Sequence, residues 1–315
     1  HSFIPYSYAG VEVYTYHLAS ELVGRGINVS VFFPVLKEGV LVPYIDSMVN
    51  NGITCHTLIS SNFSFMELEN IEVDALFKKL ISSQKFDVIH FQHIFNLPLS
   101  LLSLARNSGS KVLFTAHDHY LICPRINLIN FDGQLCDGPS MNNCTYCLKT
   151  TEIKMQTWTR EVKRLLSEVD SFIVPAEYLK AKFSSVLKME GVVVPLGIKP
   201  VIKQSGKHDQ IVFLGTVMPL KGVHDLISAF IQSGVKTPLA IWGAPSSKEY
   251  DRQVTKLSGQ HSNIRFYRGY TQEDLPEILA SALVVVLPSY REVYPLVIRE
   301  ALSVGVPVIA SNVGG

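Results

Sequence analysis

Two rhythms of apolar positions alternate along this chain. Tyr14, His17, Leu18, Leu22 and Val23 recur at helical spacing and end at Gly24 and Gly26, and Asn28 to Phe33 then alternates as a strand does. The same reading predicts strands at Thr54 to Leu58, Val88 to Phe91, Lys111 to Ala116 and Phe172 to Pro175, with helices such as Val73 to Ser82 and Ile153 to Val169 between them. A strand–helix–strand order of this kind predicts a parallel sheet covered on both faces. Val192 to Pro195 gives way to a polar stretch bearing Gly and Lys, Gly197 to Gln210, which reads as an interdomain linker. A second series of strands follows at Ile211 to Gly215, Leu239 to Trp242, Ile264 to Tyr267 and Leu283 to Leu287. The expected fold class is α/β, with two Rossmann-like parallel-sheet domains, residues 1–196 and 197–315, facing each other across a cleft.

Composition narrows the function classes. The chain has 315 residues, 47% hydrophobic and 17% charged, enough apolar content to core two domains. A formal net charge of +1 supplies no global pull toward nucleic acid, and no nucleic-acid motif accompanies it, so no nucleic-acid partner is expected. No run of about eighteen apolar residues suggests a membrane span, and no charged-then-apolar amino-terminal segment suggests secretion, so the expected location is the cytoplasm.

The densest motif lies near the carboxyl end. Pro288-Ser289-Tyr290-Arg291-Glu292 precedes Val293-Tyr294-Pro295-Leu296-Val297-Ile298-Arg299-Glu300-Ala301-Leu302, and Gly305-Val306-Pro307-Val308-Ile309-Ala310 follows before Gly314-Gly315. Ala282 to Leu287 reads as a buried strand and Leu296 onward as a helix, which sets both glutamates near the carboxyl edge of a sheet, where open α/β sheets bind ligands. A carboxylate there can accept two hydrogen bonds from vicinal hydroxyls, so Glu300 could hold a ribose and Glu292 would face a reacting sugar.

This segment resembles the E-x7-E signature of retaining glycosyltransferases of the GT-B fold, family 4, the glycosyltransferase group 1 class. The resemblance runs over nearly the whole chain. It implies that a sugar moves from a nucleotide-diphosphate donor to an acceptor hydroxyl with retention at the anomeric carbon, in polysaccharide or glycoconjugate biosynthesis. It places Leu296 and Val297 on the donor together with the two glutamates. Against the family pattern the first strand is clipped, and the last strand and final helices are missing, since the chain opens at His1-Ser2-Phe3-Ile4-Pro5 and closes at Gly315.

Four further places carry candidate donor chemistry. Phe213-Leu214-Gly215-Thr216-Val217-Met218-Pro219-Leu220-Lys221-Gly222 turns out of a strand and delivers Lys221 at a helix start, a setting suited to a diphosphate. The family usually has Arg where this chain has Thr216, which removes a bidentate phosphate contact that Arg291 or Arg299 would have to replace. Ala9-Gly10 leads into the first helix and resembles the Gly-Gly loop that the family closes over donor phosphates. His117, in Thr115-Ala116-His117-Asp118, ends a buried strand where the family has a His that contacts the donor sugar, and Asp118 is a weaker candidate beside it. Gly269-Tyr270 falls where the family cradles the nucleobase with backbone groups.

Cys123, Cys136, Cys144 and Cys147 cluster in a Cys-rich insertion, residues 120–150. In a reducing compartment such a density favours a metal over disulfides; Cys144-Thr145-Tyr146-Cys147 has knuckle spacing, and four thiolates would close a structural zinc site. An iron–sulfur cluster and free thiols in an acceptor loop remain as the other readings, while Cys55 reads as core. No catalytic metal is expected, because no D-x-D motif is present. The predicted catalytic residues are His117, Lys221 and Glu292. The acceptor is expected to be a saccharide or a lipid-linked sugar, with peripheral membrane contact through a helix bearing Trp158, Arg160, Lys163, Arg164 and Leu165 against a solvated helix face as the plainer reading. The rivals are a same-fold sugar-nucleotide epimerase and a catalytically weakened, metal-stabilised binding module; a dehydrogenase is disfavoured because no G-x-G-x-x-G follows a strand.

Overall fold

A computed structural model describes residues 2–64, 66–259 and 261–315, and for residues 141–143 the backbone alone. The chain divides into two compact units, His1–Gly197 and Ile198–Gly315.

The first unit runs α1 (Gly10–Gly24), β1 (Val29–Leu36), β2 (Tyr44–Asn50), β3 (Ile53–Ser60), α2 (Ile71–Ser83), β4 (Val88–Phe91), α3 (Ser100–Asn107), β5 (Lys111–Thr115), α4 (Met141–Leu148), α5 (Glu152–Glu168), β6 (Ser171–Val174), α6 (Glu177–Leu187) and β7 (Val192–Val193). Local chemistry explains the helix starts. Asn70 accepts the Val73 N–H and caps α2, whose Val73, Phe77 and Ile81 then bury one stripe at four-residue spacing. Thr151 caps α5 in the same way through the Lys154 N–H.

The strands of this unit form two ladders rather than the single parallel sheet expected. β4-β5-β6-β7 is parallel throughout, whereas β1 and β3 pair in parallel and β2 adds antiparallel to β3. β2 escaped the sequence reading because it is an exposed edge strand, with Met48 and Val49 facing outward, and carries no buried alternation.

On α5, Met155, Trp158, Val162, Leu165 and Leu166 are buried, and the outer face holds Arg164 paired to Glu161 and Glu168. The apolar stripe of this helix, including Trp158 and Leu165, lies in the protein core, while Ile153 in its first turn is exposed. Burial of Trp158 and Leu165 favours the plainer reading of this helix, a solvated charged face. Among the described residues no helix is long and apolar enough to cross a membrane.

The second unit runs β8 (Gln210–Leu214), a 3-10 turn (Pro219–Lys221), α7 (Val223–Ser233), β9 (Leu239–Trp242), α8 (Lys248–Ser258), β10 (Ile264–Tyr267), α9 (Leu275–Ser281), β11 (Ala282–Leu287), α10 (Leu296–Ser303) and β12 (Val308–Ala310). All pairings are parallel, in the order β10-β9-β8-β11-β12. Alternate side chains feed opposite faces. Phe213, Leu239 and Ile241 pack with α7 and α8, while Val212, Leu214, Ala240, Val285 and Leu287 pack with α9 and α10.

From β8 the chain lays β9 and β10 on one side and then returns to lay β11 and β12 on the other. The carboxyl ends of β8 and β11 therefore flank a topological switch point, the place where open α/β sheets leave a ligand crevice. The stretch read as a linker is not a free tether. His208 and Asp209 donate their N–H groups to Ala280 and Ser281, the His208 ring reaches the Ala282 carbonyl, and Val201 packs on the core.

Candidate active site

Lys221 and Glu292 meet at the switch point of the second unit. Lys221 Nζ lies 2.5 Å from Glu292 Oε1, and the hydroxyl of Ser289, a residue only 1% exposed, donates to the same oxygen at 2.7 Å. Seventy-one positions separate the ion-paired residues, so the backbone must bring two loops together. The Tyr290 N–H donates to the Leu220 carbonyl at 2.9 Å, the Tyr290 hydroxyl donates to Asp225 on α7, and the Glu292 N–H donates to Val313 at 3.3 Å.

Gly222 makes this approach feasible. It stands at φ 65°, and a Cβ there would overlap the Pro288 carbonyl oxygen. Gly314 does the same on the other flank, where a Cβ would overlap the Glu292 carbonyl. Lys221 itself closes the 3-10 turn, with Gly222 between it and the first residue of α7, rather than sitting at the helix start as its sequence suggested.

Glu300 is 6% exposed on α10. Burial raises its carboxyl above the ordinary value, opposed by a hydrogen bond from the Gln272 side chain. Tyr270 stands close enough for its hydroxyl, already pushed far up by burial, to be raised further by the Glu300 charge. Tyr270 and Val297 both pack against the α9/α10-side core, so part of each is structural. Leu296 opens α10 behind Pro295 and is half-buried; Thr216 is exposed just after β8, and Gly269 takes φ 150° after β10. Arg299 is exposed and its guanidinium covers the Tyr294 ring at 5.2 Å.

In the first unit the centre is His117, at the carboxyl edge of β5 and 8% exposed. Its Nε2 lies 2.8 Å from Gln92 Oε1, and since an amide oxygen only accepts, the imidazole proton sits on Nε2. The Gln92 amide nitrogen turns to His90, whose Nε2 meets Thr115 Oγ1 at 2.8 Å. Burial lowers His90 to about 4 and keeps it neutral near pH 7. The Tyr14 ring of α1 lies 5.2 Å from the His117 ring, centroid to centroid.

Asp118 is anchored beside this chain. It accepts from His93 Nε2 at 2.9 Å and from the Tyr120 N–H at 2.8 Å, and the Phe95 N–H donates to His93 Nδ1. Tyr14 reads in the sequence only as a position on the α1 stripe, and Gln92, His90 and His93 carry no site role there. The polar run His90-Phe91-Gln92-His93 closing a strand next to β5 is the signal that would have found them. Ala9 caps α1 with extended backbone and Gly10 is its first residue. A Cβ on Gly10 would meet nothing within 4 Å, so neither crowding nor a positive φ requires glycine there.

All five cysteines are free thiols, and Cys55 is core as expected. Cys144 and Cys147 sit one turn apart on α4, and Cys123 and Cys136 on the loop before it. Among the described residues no three His, Cys, Asp or Glu side chains stand in a geometry that could hold a metal ion.

Two α/β units with parallel strands in both fit the GT-B fold class, and comparison with known proteins bears this out. Residues 8–201 match the family described as Glycosyltransferase Family 4, and residues 198–315 match Glycosyl transferases group 1. The chain belongs to glycosyltransferase family 4. It is 33% identical over 117 residues to D-inositol 3-phosphate glycosyltransferase of Salinispora arenicola, a match that spans 33% of this chain and only 26% of that one. It is 22% identical over 335 aligned residues to an uncharacterized 42.6 kDa protein in the cps region of Klebsiella pneumoniae, covering 99% of this chain and 84% of the other. Among solved structures, Anabaena HepE in complex with UDP and glucose superposes with a TM-score of 0.67 at 15% identity, covering 100% of this chain and 82% of that one.

Proposed function

We propose that this protein transfers a sugar from a nucleotide-diphosphate donor to a hydroxyl of a saccharide or lipid-linked acceptor, with retention at the anomeric carbon, in polysaccharide or glycoconjugate assembly in the cytoplasm. The observation that carries the reading is the Lys221–Glu292–Ser289 cluster at the switch point. An ammonium held there suits the charge that develops on a departing diphosphate, and it is positioned before the reaction begins, so little reorganisation is needed. Lys221 has three N–H donors and gives one to Glu292, which leaves capacity for phosphate oxygens.

In this reading Glu292 orients the donor sugar and Glu300 accepts the ribose hydroxyls. Thr216, Tyr270, Leu296 and Val297 border the donor. The Ala9-Gly10 entry to α1 serves the phosphates, and His117, presenting its Nε2 proton toward Gln92, hydrogen-bonds a sugar hydroxyl. The test is calorimetric titration with UDP, GDP and ADP, UDP first because the HepE structure holds it. One nucleotide should bind, and Glu300→Ala should abolish that binding. Absence of binding to any of the three by folded protein would refute the donor site. Product analysis with and without an acceptor sugar then separates transfer from epimerisation.

A further inference from the structure

We propose that Gln92 is a positioning residue for His117, holding the ring in the tautomer that carries its proton on Nε2 and its lone pair on Nδ1. The link to sugar transfer rests on the function proposed above; the hold on the ring does not.

The register of β4 on β5 builds the arrangement. Phe91 pairs with Phe114 and their rings stack at 6.2 Å on one side of the sheet, with Phe172 of β6 beside them. Alternation sends His90, and Gln92 just past the end of β4, to the other side, and it sends Thr115 and His117 to that same side of the chain leaving β5. Thr115 and His117 are deeply buried there. Burying polar groups costs free energy unless each is paired, and apolar side chains would fill the space without that cost.

The pairing runs in single file through Thr115, His90, Gln92 and His117. His90 Nε2 lies 2.8 Å from Thr115 Oγ1, the Gln92 amide nitrogen lies 3.2 Å from His90 Nδ1 and 3.3 Å from its Nε2, and Gln92 Oε1 lies 2.8 Å from His117 Nε2. Each member constrains the next. Burial keeps His90 neutral near pH 7, so its Nε2 donates to Thr115 while its bare Nδ1 accepts the Gln92 amide N–H. The amide oxygen is then turned to His117, and an oxygen that only accepts holds the His117 proton on Nε2. Half a turn of the amide would reverse every bond in the file and move that proton to Nδ1, which is the competing arrangement.

The neighbouring ring shows why an amide suits this place. His93 is fixed by the Phe95 N–H at Nδ1 and by the Asp118 carboxylate at Nε2. A carboxylate favours the charged imidazolium of its partner, whereas an amide oxygen orients an imidazole without drawing a charge onto it. Gln92 therefore sets which atom of His117 donates and which accepts, and the Tyr14 ring packs against the ring so placed.

The free protein tests this without donor or acceptor. Nitrogen NMR of isotopically labelled protein near neutral pH reports which ring nitrogen carries the proton, with His117 assigned by the resonance lost in His117→Asn. The wild type should show a His117 Nε2–H signal in slow exchange with water. Gln92→Met fills the space without an acceptor and should speed that exchange about tenfold or more, while Gln92→Glu keeps an acceptor and should retain the signal. A wild-type ring protonated on Nδ1, or unchanged exchange in Gln92→Met, would overturn the proposal; the first of these is decided even if Gln92→Met does not fold. With UDP-glucose as the probe of transfer, Gln92→Met should lower kcat about tenfold or more and change KM less than about twofold, because orientation at the reacting sugar is lost and binding elsewhere on the donor is kept. Unchanged kcat with the ring released would remove Gln92 from the reaction. No turnover by the wild type counts against the transfer reading, and the ring measurement then decides the hold of Gln92 on His117 by itself.

Discussion

Replacing Gly222 with alanine tests whether the approach of two loops creates the candidate active site. Gly222 and Gly234 make a matched pair, because they bracket α7 at φ 65° and 64°. A Cβ on Gly234 meets nothing within 4 Å, whereas a Cβ on Gly222 overlaps the Pro288 carbonyl oxygen and stands 3.0 Å from its carbon. Gly234→Ala therefore carries only the left-handed penalty, about 1 kcal/mol. Gly222→Ala adds the displacement of a backbone carbonyl in a packed loop, on the order of 1–3 kcal/mol more. For a unit of this size the first should lower the melting temperature by about 4 °C and the second by about 8–16 °C. The displaced segment carries Ser289 and Glu292, so Gly222→Ala should also weaken nucleotide binding at temperatures where it is folded, and Gly234→Ala should not. The assay is thermal unfolding by circular dichroism alongside calorimetric nucleotide titration. Equal melting temperatures for the two variants, with unchanged binding in Gly222→Ala, would refute the argument that this contact sets the Lys221–Glu292 geometry.

Three more outcomes follow from the same geometry. Lys221→Met should reduce transfer about 100-fold or more, with a melting temperature within a few degrees of the parent, measured as initial rate and by calorimetry. Glu300→Gln should weaken nucleotide binding about tenfold. Because burial raises the Glu300 carboxyl, wild-type binding should fall off on the acid side at a pH above 4.5, and Glu300→Gln should flatten that limb. Stability should decline from pH 6.5 toward pH 4, because His90 resists protonation in the fold down to about 4 while the unfolded chain takes the proton near 6.5. That interval corresponds to about 3 kcal/mol, and denaturant titrations of His90→Asn across it should show a shallower slope than the parent, the lowered His56 retaining its own share.

Legibility in the sequence followed physical locality. Strands β4, β5, β9, β10 and β11 were readable because each is a short apolar run bounded by turn residues, and α2 and α5 because they repeat one buried stripe. β2 was not, since an exposed antiparallel edge strand shows no burial pattern. Glu292 and Lys221 were each singled out, but their contact was not, because it depends on strand order: only the placement of β11 beside β8 brings positions 221 and 292 together. Gln92 and His90 were missed for the same reason, as β4 must lie next to β5 before their side chains can reach His117 and Thr115. The polar stretch after residue 197 shows the same limit. Its composition signals an interdomain linker, yet the His208 and Asp209 N–H groups donate to α9 and the His208 ring reaches the Ala282 carbonyl of β11, which no local property of the stretch reveals.

The way Lys221 is held bears on the missing arginine at Thr216. A lysine on a mobile stem is a diffuse cation, and ordering its side chain for a phosphate would carry an entropic penalty at the moment of binding. Here that ordering is done in advance: Glu292 fixes the ammonium, Ser289 fixes Glu292, and both contacts land on Oε1, so the carboxylate is aimed as well as neutralised. The backbone bond from Tyr290 to Leu220 then makes the two loops move as one. An exposed Thr216 removes one charge from the edge of β8, but the remaining cation needs no search for its place. If Lys221 serves a donor diphosphate as proposed, adding a charge by Thr216→Arg should raise affinity for the diphosphate more than rate, since the cation proposed to respond to charge developing during departure is already positioned.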